Sequence, residues 1–85
     1  MNKVFSPEAR EDYQYWVAND RKLLKKINEL IRDIERGSYD GLGKPEALIG
    51  DLSGYWSRRI TQGHRLIYKV AGNEIWIARC KDHYY

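Results

Sequence analysis

The sequence is poor in the residues that build covalently linked or metal-held folds. It contains one cysteine, Cys80, and two histidines. An internal disulfide is therefore impossible, and a structural zinc site is not expected. No long apolar run follows the N-terminus, which argues against a signal peptide and a membrane span. We expect a cytoplasmic protein that uses neither a metal nor a cofactor.

What the sequence does contain fits a small folded domain. Its 85 residues predict a single domain, 1–85, and 42% of them are hydrophobic, which is enough for one modest core. Any active site on so short a chain should be open and shallow. The net charge of +3 favours an anionic partner.

Two helices are predicted in the first half of the chain. Ser6 can cap a helix that begins at Pro7, Asp20 can cap a second helix, and Gly37 is a natural stop. The short break between them predicts an antiparallel hairpin. The predicted buried positions are Ala9, Tyr13, Trp16 and Val17 in the first helix and Leu23, Leu24, Ile27, Leu30, Ile31 and Ile34 in the second.

The remaining segments predict a β-sheet and a long loop. The loop covers residues 38–50. The expected strands are residues 3–5, 55–60, 65–70 and 74–81, with turns at Gln62-Gly63 and Gly72-Asn73. The fold class is therefore α+β, with a helical hairpin packed on a small, mainly antiparallel sheet.

Ideal hairpins around these turns would gather basic residues at one end of the sheet. They place Ile60 opposite Arg65, and Arg65 opposite Cys80. Because like charges repel, such a cluster suggests an anion site, although a solvated basic sheet end gives the same pattern. The members are Arg58, Arg59, Arg65, Arg79, Lys81 and His83.

A carboxylate, arginines and a histidine can cleave RNA without a metal. The RNA supplies its own nucleophile, the 2′-hydroxyl, and the protein supplies a base, cations and an acid. Glu46 in the loop and His83 near the chain end are candidates for the base and the acid. From residue types alone, however, Glu46 can equally be a solubilising charge, and nothing in the pattern fixes it near His83.

Several segments, taken together, resemble one known family. They are residues 25–31 (KKINELI), 44–46 (KPE), 52–61 (LSGYWSRRIT), 64–68 (HRLIY) and 83–84 (HY). The sequence is similar over nearly its whole length to the YoeB family of toxins in the RelE superfamily.

The resemblance implies a RelE-like fold and cleavage of messenger RNA in the ribosomal A site. It implies that Glu46 is the general base, that His83 is the general acid and that Arg65 holds the scissile phosphate. Arg59 would assist and Tyr84 would position the substrate. It further implies a YefM-like antitoxin as partner, contact with DNA only through that antitoxin, and the ability to form homodimers.

Ideal strand alternation conflicts with two of these assignments. It places Arg58, rather than Arg59, on the face of Arg65, and it places His83 on the opposite face. A bulge or a curl of the last residues is needed to bring His83 to the face of the sheet that carries Arg65.

The alternative function is a non-catalytic toxin of the ParE type, which poisons a macromolecular target by occupying it. Glu46, Arg65, His83 and Tyr84 together favour the enzyme, because a pure binder has no need of an acid–base pair.

Overall fold

The computed structural model describes residues 1–37 and 40–83. Its elements are β1 (Asn2–Phe5), α1 (Pro7–Asn19), α2 (Arg21–Glu35), β2 (Glu46–Ala47), a 3-10 helix (Gly50–Leu52), β3 (Trp56–Thr61), β4 (His64–Ala71) and β5 (Glu74–Arg79). The five strands form one sheet in the order β1-β5-β4-β3-β2. β1 runs parallel to β5, and the other neighbours are antiparallel. The predicted α+β class is confirmed. Within these residues, no helix has the length and apolar character needed to cross a membrane.

Both helices begin where the sequence predicts. The Ser6 hydroxyl accepts a hydrogen bond from the Ala9 amide at 3.0 Å. The Asp20 carboxylate accepts from the amides of Lys22 and Leu23, both at 3.1 Å. These side chains satisfy amides that have no partner inside the first turn of a helix. Asp20 is the only residue between α1 and α2.

The helices cover one face of the sheet and form the core with it. Leu66 and Tyr68 of β4 pack with Ile75 and Ile77 of β5 in the buried cluster. In α1 the prediction for Val17 is wrong, since this side chain is 41% exposed.

Asp12 is buried in α1 although it is charged. Its carboxylate accepts hydrogen bonds from Arg79 Nε at 2.8 Å and from the Cys80 amide at 3.0 Å. A carboxylate with a counter-ion and a backbone donor tolerates burial that an isolated charge would not. Hydrophobic periodicity has no means of predicting such a position.

The hairpin of β3 and β4 departs from the ideal register. Arg59, not Ile60, lies opposite Arg65, because Ile60 is an extra residue in β3 where the register shifts between Arg59 and Thr61. The predicted pairing of Ile60 with Arg65 is therefore wrong. A bulge of this kind changes which residues share a face.

Arg58 lies on the helix side of the sheet and is fully buried. It forms an ion pair with Asp33 of α2, and its Nε donates to the Tyr68 hydroxyl at 3.0 Å. The expectation that Arg58 shares a face with Arg65 is wrong. A buried guanidinium needs such partners, and Arg58 therefore serves the core and the adjoining loop.

The pKa of the Asp33 carboxyl is held below its usual range. The hydrogen bond from Arg58 is the main cause, it outweighs the opposing effect of burial, and the Leu42 amide adds to it. Because the pKa of Asp33 is lower in the folded state, its ionised carboxylate stabilises the fold. This stabilisation is complete above the pKa of the unfolded chain and is lost as the pH falls through the pKa of the folded protein.

Asp33→Asn should therefore lower the urea unfolding midpoint at pH 7. The difference in unfolding midpoint between wild type and variant should narrow as the pH falls below about 4. Urea titrations from pH 7 to pH 3 would measure it, with exposed Asp51→Asn as the control for general charge effects. A gap that stays constant over this range would contradict the assignment.

Candidate active site

A small open pocket lies on the face of the sheet that the helices leave uncovered. Its lining residues are Lys44, Pro45, Glu46, Ser57, Arg59 and Arg65. The structure therefore brings together three of the predicted site residues, which come from β2, β3 and β4.

Glu46 reaches the pocket because β2 pairs with β3. Glu46 lies directly opposite Ser57, and paired residues project to the same face of a sheet. Arg59 lies two residues beyond Ser57 and thus on this face as well. The two-residue strand is too short to be read from the sequence, which predicts only loop here.

Glycine is required at position 43 for this loop to approach the sheet. Its φ is +80°, and a Cβ there would lie 2.8 Å from the Arg59 carbonyl oxygen and 2.9 Å from Leu30 Cδ2. The Gly43 carbonyl accepts from the Arg59 amide at 2.6 Å. Close backbone approach thus fixes the start of the segment that carries Glu46.

The buried ion pair of Arg58 and Asp33 holds the same loop from the other side. Arg58 Nη1 donates to the Leu42 carbonyl, and Asp33 Oδ2 accepts from the Leu42 amide, both at 3.1 Å. The two neighbouring arginines of β3 therefore have different roles, since Arg58 anchors the loop while Arg59 lines the pocket.

Arg59 and Arg65 face each other across β3 and β4. In the part of the chain that is described, neither guanidinium has an ion-pair partner. Like charges placed directly opposite destabilise a sheet. An anion bound between them would remove that repulsion.

Arg65 is held rigidly although it lines the pocket. It is only 8% exposed, and its Nη1 donates to the carbonyls of Thr61, Gln62 and His64 at 2.8, 3.0 and 3.1 Å. One end of the guanidinium therefore fixes the β3–β4 turn. A charge fixed in advance needs no reorganisation when it meets an anion.

A bulge in β5 and a left-handed turn at Asp82 together bring His83 beside Arg65. Tyr68 pairs with Ile77, but Ile67 pairs with Arg79, so Ala78 is an extra residue that reverses the alternation after it. The sequence prediction that a bulge or curl is needed is confirmed.

His83 Nε2 lies 2.9 Å from the Gln62 carbonyl oxygen, the atom that also accepts from Arg65 Nη1. A carbonyl only accepts, so Nε2 carries the proton in this contact. The predicted pairing of Arg65 with Cys80 is wrong, because the Arg65 amide donates to the Asp82 carbonyl at 3.1 Å.

The predicted basic cluster is only partly assembled. Arg58 is in the core and Arg79 pairs with Asp12. Lys81 lies over the Tyr15 ring, 4.8 Å from its centroid. Tyr84 and Tyr85 lie outside the described residues.

Two polar lining residues and one backbone carbonyl were not predicted from the sequence. Lys44 and Ser57 line the pocket, and the Gln62 carbonyl links Arg65 to His83. Alternation from Arg59 could have found Ser57, and proximity to Glu46 could have found Lys44. A backbone oxygen leaves no signal in a sequence.

Cys80 is not a candidate nucleophile. Burial, helped by the charge of Asp12, raises the pKa of its thiol to about 12, so the thiol stays protonated at neutral pH. Across residues 1–37 and 40–83, no group of three or more His, Cys, Asp or Glu side chains is placed to hold a metal ion. The pocket instead offers a carboxylate, two guanidinium groups and a nearby imidazole.

This small α+β fold is shared with toxins of bacterial toxin–antitoxin systems whose structures are known. The family model described as YoeB-like toxin of bacterial type II toxin-antitoxin system matches residues 5–84. The chain belongs to this family, as the sequence segments predict.

Individual relatives agree over the full length. Toxin YoeB of Escherichia coli is 50% identical over 84 residues, which cover 99% of this chain and all of that protein. The toxin in a heterotetrameric YoeB-YefM complex from Staphylococcus aureus has 55% identity and a TM-score of 0.93, covering 99% of this chain and 98% of that one. A YoeB dimer from the same organism has a TM-score of 0.92 with 55% identity and the same coverage.

Proposed function

We propose that the protein is a ribosome-dependent endoribonuclease that cleaves messenger RNA in the ribosomal A site without a metal. The observation that carries the proposal is the arrangement around one site. Glu46, Arg59 and Arg65 line one pocket, and His83 and Arg65 meet at the Gln62 carbonyl. These are the groups that cleavage by an RNA 2′-hydroxyl requires.

The reaction assigns one role to each group. Glu46 takes the proton from the 2′-hydroxyl, and the 2′-oxygen attacks the neighbouring phosphorus. Arg65, assisted by Arg59, stabilises the charge that develops on the phosphorane. The bond to the 5′-oxygen breaks, and Nε2 of His83 delivers the proton to that oxygen. Tyr84, beyond the described residues, positions the substrate in this proposal.

Dependence on the ribosome follows from the size of the pocket. An open pocket on an 85-residue domain contacts few nucleotides, and a net charge of +3 gives modest general affinity for RNA. The ribosome would hold the messenger in a defined geometry and thereby supply the orientation that the small domain lacks.

The partner that controls this activity is proposed to be a YefM-like antitoxin. The similar Staphylococcus aureus toxin is bound to YefM in its complex, and a dimer of that toxin is also known. The cationic pocket favours an acidic segment of the antitoxin, which would mask the same charges that bind RNA. Contact with DNA would be indirect, through the antitoxin, and the toxin alone can form a homodimer.

The chemistry of the cut RNA ends tests the proposal. The upstream fragment should end in a 2′,3′-cyclic phosphate or its 3′-phosphate product, and the downstream fragment should begin with a 5′-hydroxyl. On an RNA that needs no intact ribosome, excess EDTA should leave cleavage unaffected. A 5′-phosphate on the downstream fragment would mean that water attacked, and both acid–base roles would be withdrawn. No cleavage on ribosomes or on free RNA would favour the non-catalytic ParE-type alternative.

A further inference from the structure

The segment that presents His83 is held by side chains outside the pocket. Asp82 has a φ of +62°, which places it in the left-handed region. A residue other than glycine remains there only when its surroundings fix it. Its carbonyl accepts from the Arg65 amide at 3.1 Å, and its amide donates to His64 Nδ1 at 2.8 Å. Two consecutive residues of β4, His64 and Arg65, therefore hold both backbone polar groups of Asp82.

The ring of His64 is itself fixed in orientation. It packs edge-to-face on Trp16, with centroids 4.8 Å apart and planes at 81°. Trp16 also donates its indole N–H to the Cys80 carbonyl at 2.9 Å. Because an amide N–H must donate, His64 Nδ1 carries a lone pair in this contact.

We propose that His64 is a positioning residue, which through its Nδ1 holds the Asp82 amide and the turn that directs His83 to the Gln62 carbonyl beside Arg65. The proposal rests on the proposed function, in which His83 is the general acid. Without this hydrogen bond, the left-handed turn at Asp82 loses one of its two anchors. His83, the next residue, would then no longer be held at the Gln62 carbonyl.

Two substitutions separate the hydrogen bond from the ring. His64→Phe keeps a ring against Trp16 but removes the acceptor. His64→Asn removes the ring but places an amide oxygen close to the position of Nδ1, where it can accept from Asp82. The single-turnover rate on programmed ribosomes, measured against toxin concentration, separates the maximal rate from apparent binding.

His64→Phe should lower the maximal rate about 10- to 100-fold, the cost of a small misplacement of a reacting group, with little change in apparent binding. His64→Asn should recover most of that loss. An equal fall in both variants would overturn the proposal, because it would implicate the imidazole itself. A His64→Phe variant as active as wild type would overturn it too.

A second measurement does not depend on catalysis. Hydrogen exchange of the Asp82 amide, followed by nuclear magnetic resonance, should be faster in His64→Phe than in wild type and near the wild-type rate in His64→Asn. Unchanged exchange in His64→Phe would refute the contact. If wild type shows this protection but cuts no RNA, the proposed function fails while the His64 contact stands.

The Asp82 carboxylate offers a different route between the same residues. One of its oxygens lies 3.7 Å from His64 Nδ1, a distance at which a protonated imidazole would form an ion pair. Asp82→Asn removes this charge, keeps the amide and tolerates a positive φ. A fall in rate as large as that of His64→Phe would assign the effect to the ion pair and overturn the amide route.

Discussion

Glu46→Gln and His83→Gln should each lower the rate of messenger RNA cleavage on ribosomes about 10²- to 10⁴-fold, the usual worth of a positioned base or acid. Both side chains are exposed, so the substitutions remove proton transfer without disturbing the core. The rate should be measured in single turnover at saturating toxin, so that binding does not limit it.

Glu11→Gln is the matched control for the loss of a negative charge. Glu11 is an exposed residue of α1 and does not line the pocket. The Glu11→Gln variant should therefore cleave at the wild-type rate. A Glu46→Gln variant that also cleaves at this rate would remove Glu46 as the base, and the same result for His83→Gln would remove His83 as the acid.

Arg65→Ala should have two separable effects. It removes a fixed charge aimed at the phosphorane, which typically costs about 10²- to 10³-fold in rate. It also deprives the carbonyls of Thr61, Gln62 and His64 of their shared donor and should therefore lower the unfolding midpoint. Cleavage rates and urea titrations of the same preparation would measure both.

Two further variants assign the loss in rate. Arg32→Ala also removes one positive charge, but from an exposed position in the last turn of α2. This control variant should cleave at the wild-type rate. Arg65→Lys keeps the charge but lacks the planar fork, so it should remain well below wild type. If Arg65→Ala lost stability but cleaved normally, Arg65 would be a structural residue of the β3–β4 turn only.

Local features of this protein follow from short stretches of its sequence. The caps at Ser6 and Asp20 and the end of α2 depend on nearby residues, and the structure confirms them. The structure also confirms the predicted strands on either side of the turn at Gln62-Gly63, whose ends differ from the prediction by a residue or two. The short segments that resemble the YoeB family also identified the family, and these depend on residue identity rather than on shape.

Which side chains meet depends on packing between distant segments and could not be predicted from local patterns. The bulges at Ile60 and Ala78 each insert one residue, and each reverses the alternation on which the sequence argument depended. The first bulge puts Arg59 opposite Arg65. The second, together with the left-handed turn at Asp82, brings His83 to the Gln62 carbonyl.

Contacts between segments distant in the chain set these registers. The Ser6 hydroxyl donates to the carbonyl of the bulged Ala78 at 2.8 Å, across 72 residues of sequence. Gly43 lets the loop that carries Glu46 approach β3, and Arg58 faces the core because Asp33 of α2 is there to pair with it. Register and burial of charge are set by such long-range partners, whereas helix starts and turns are set by neighbours in the chain.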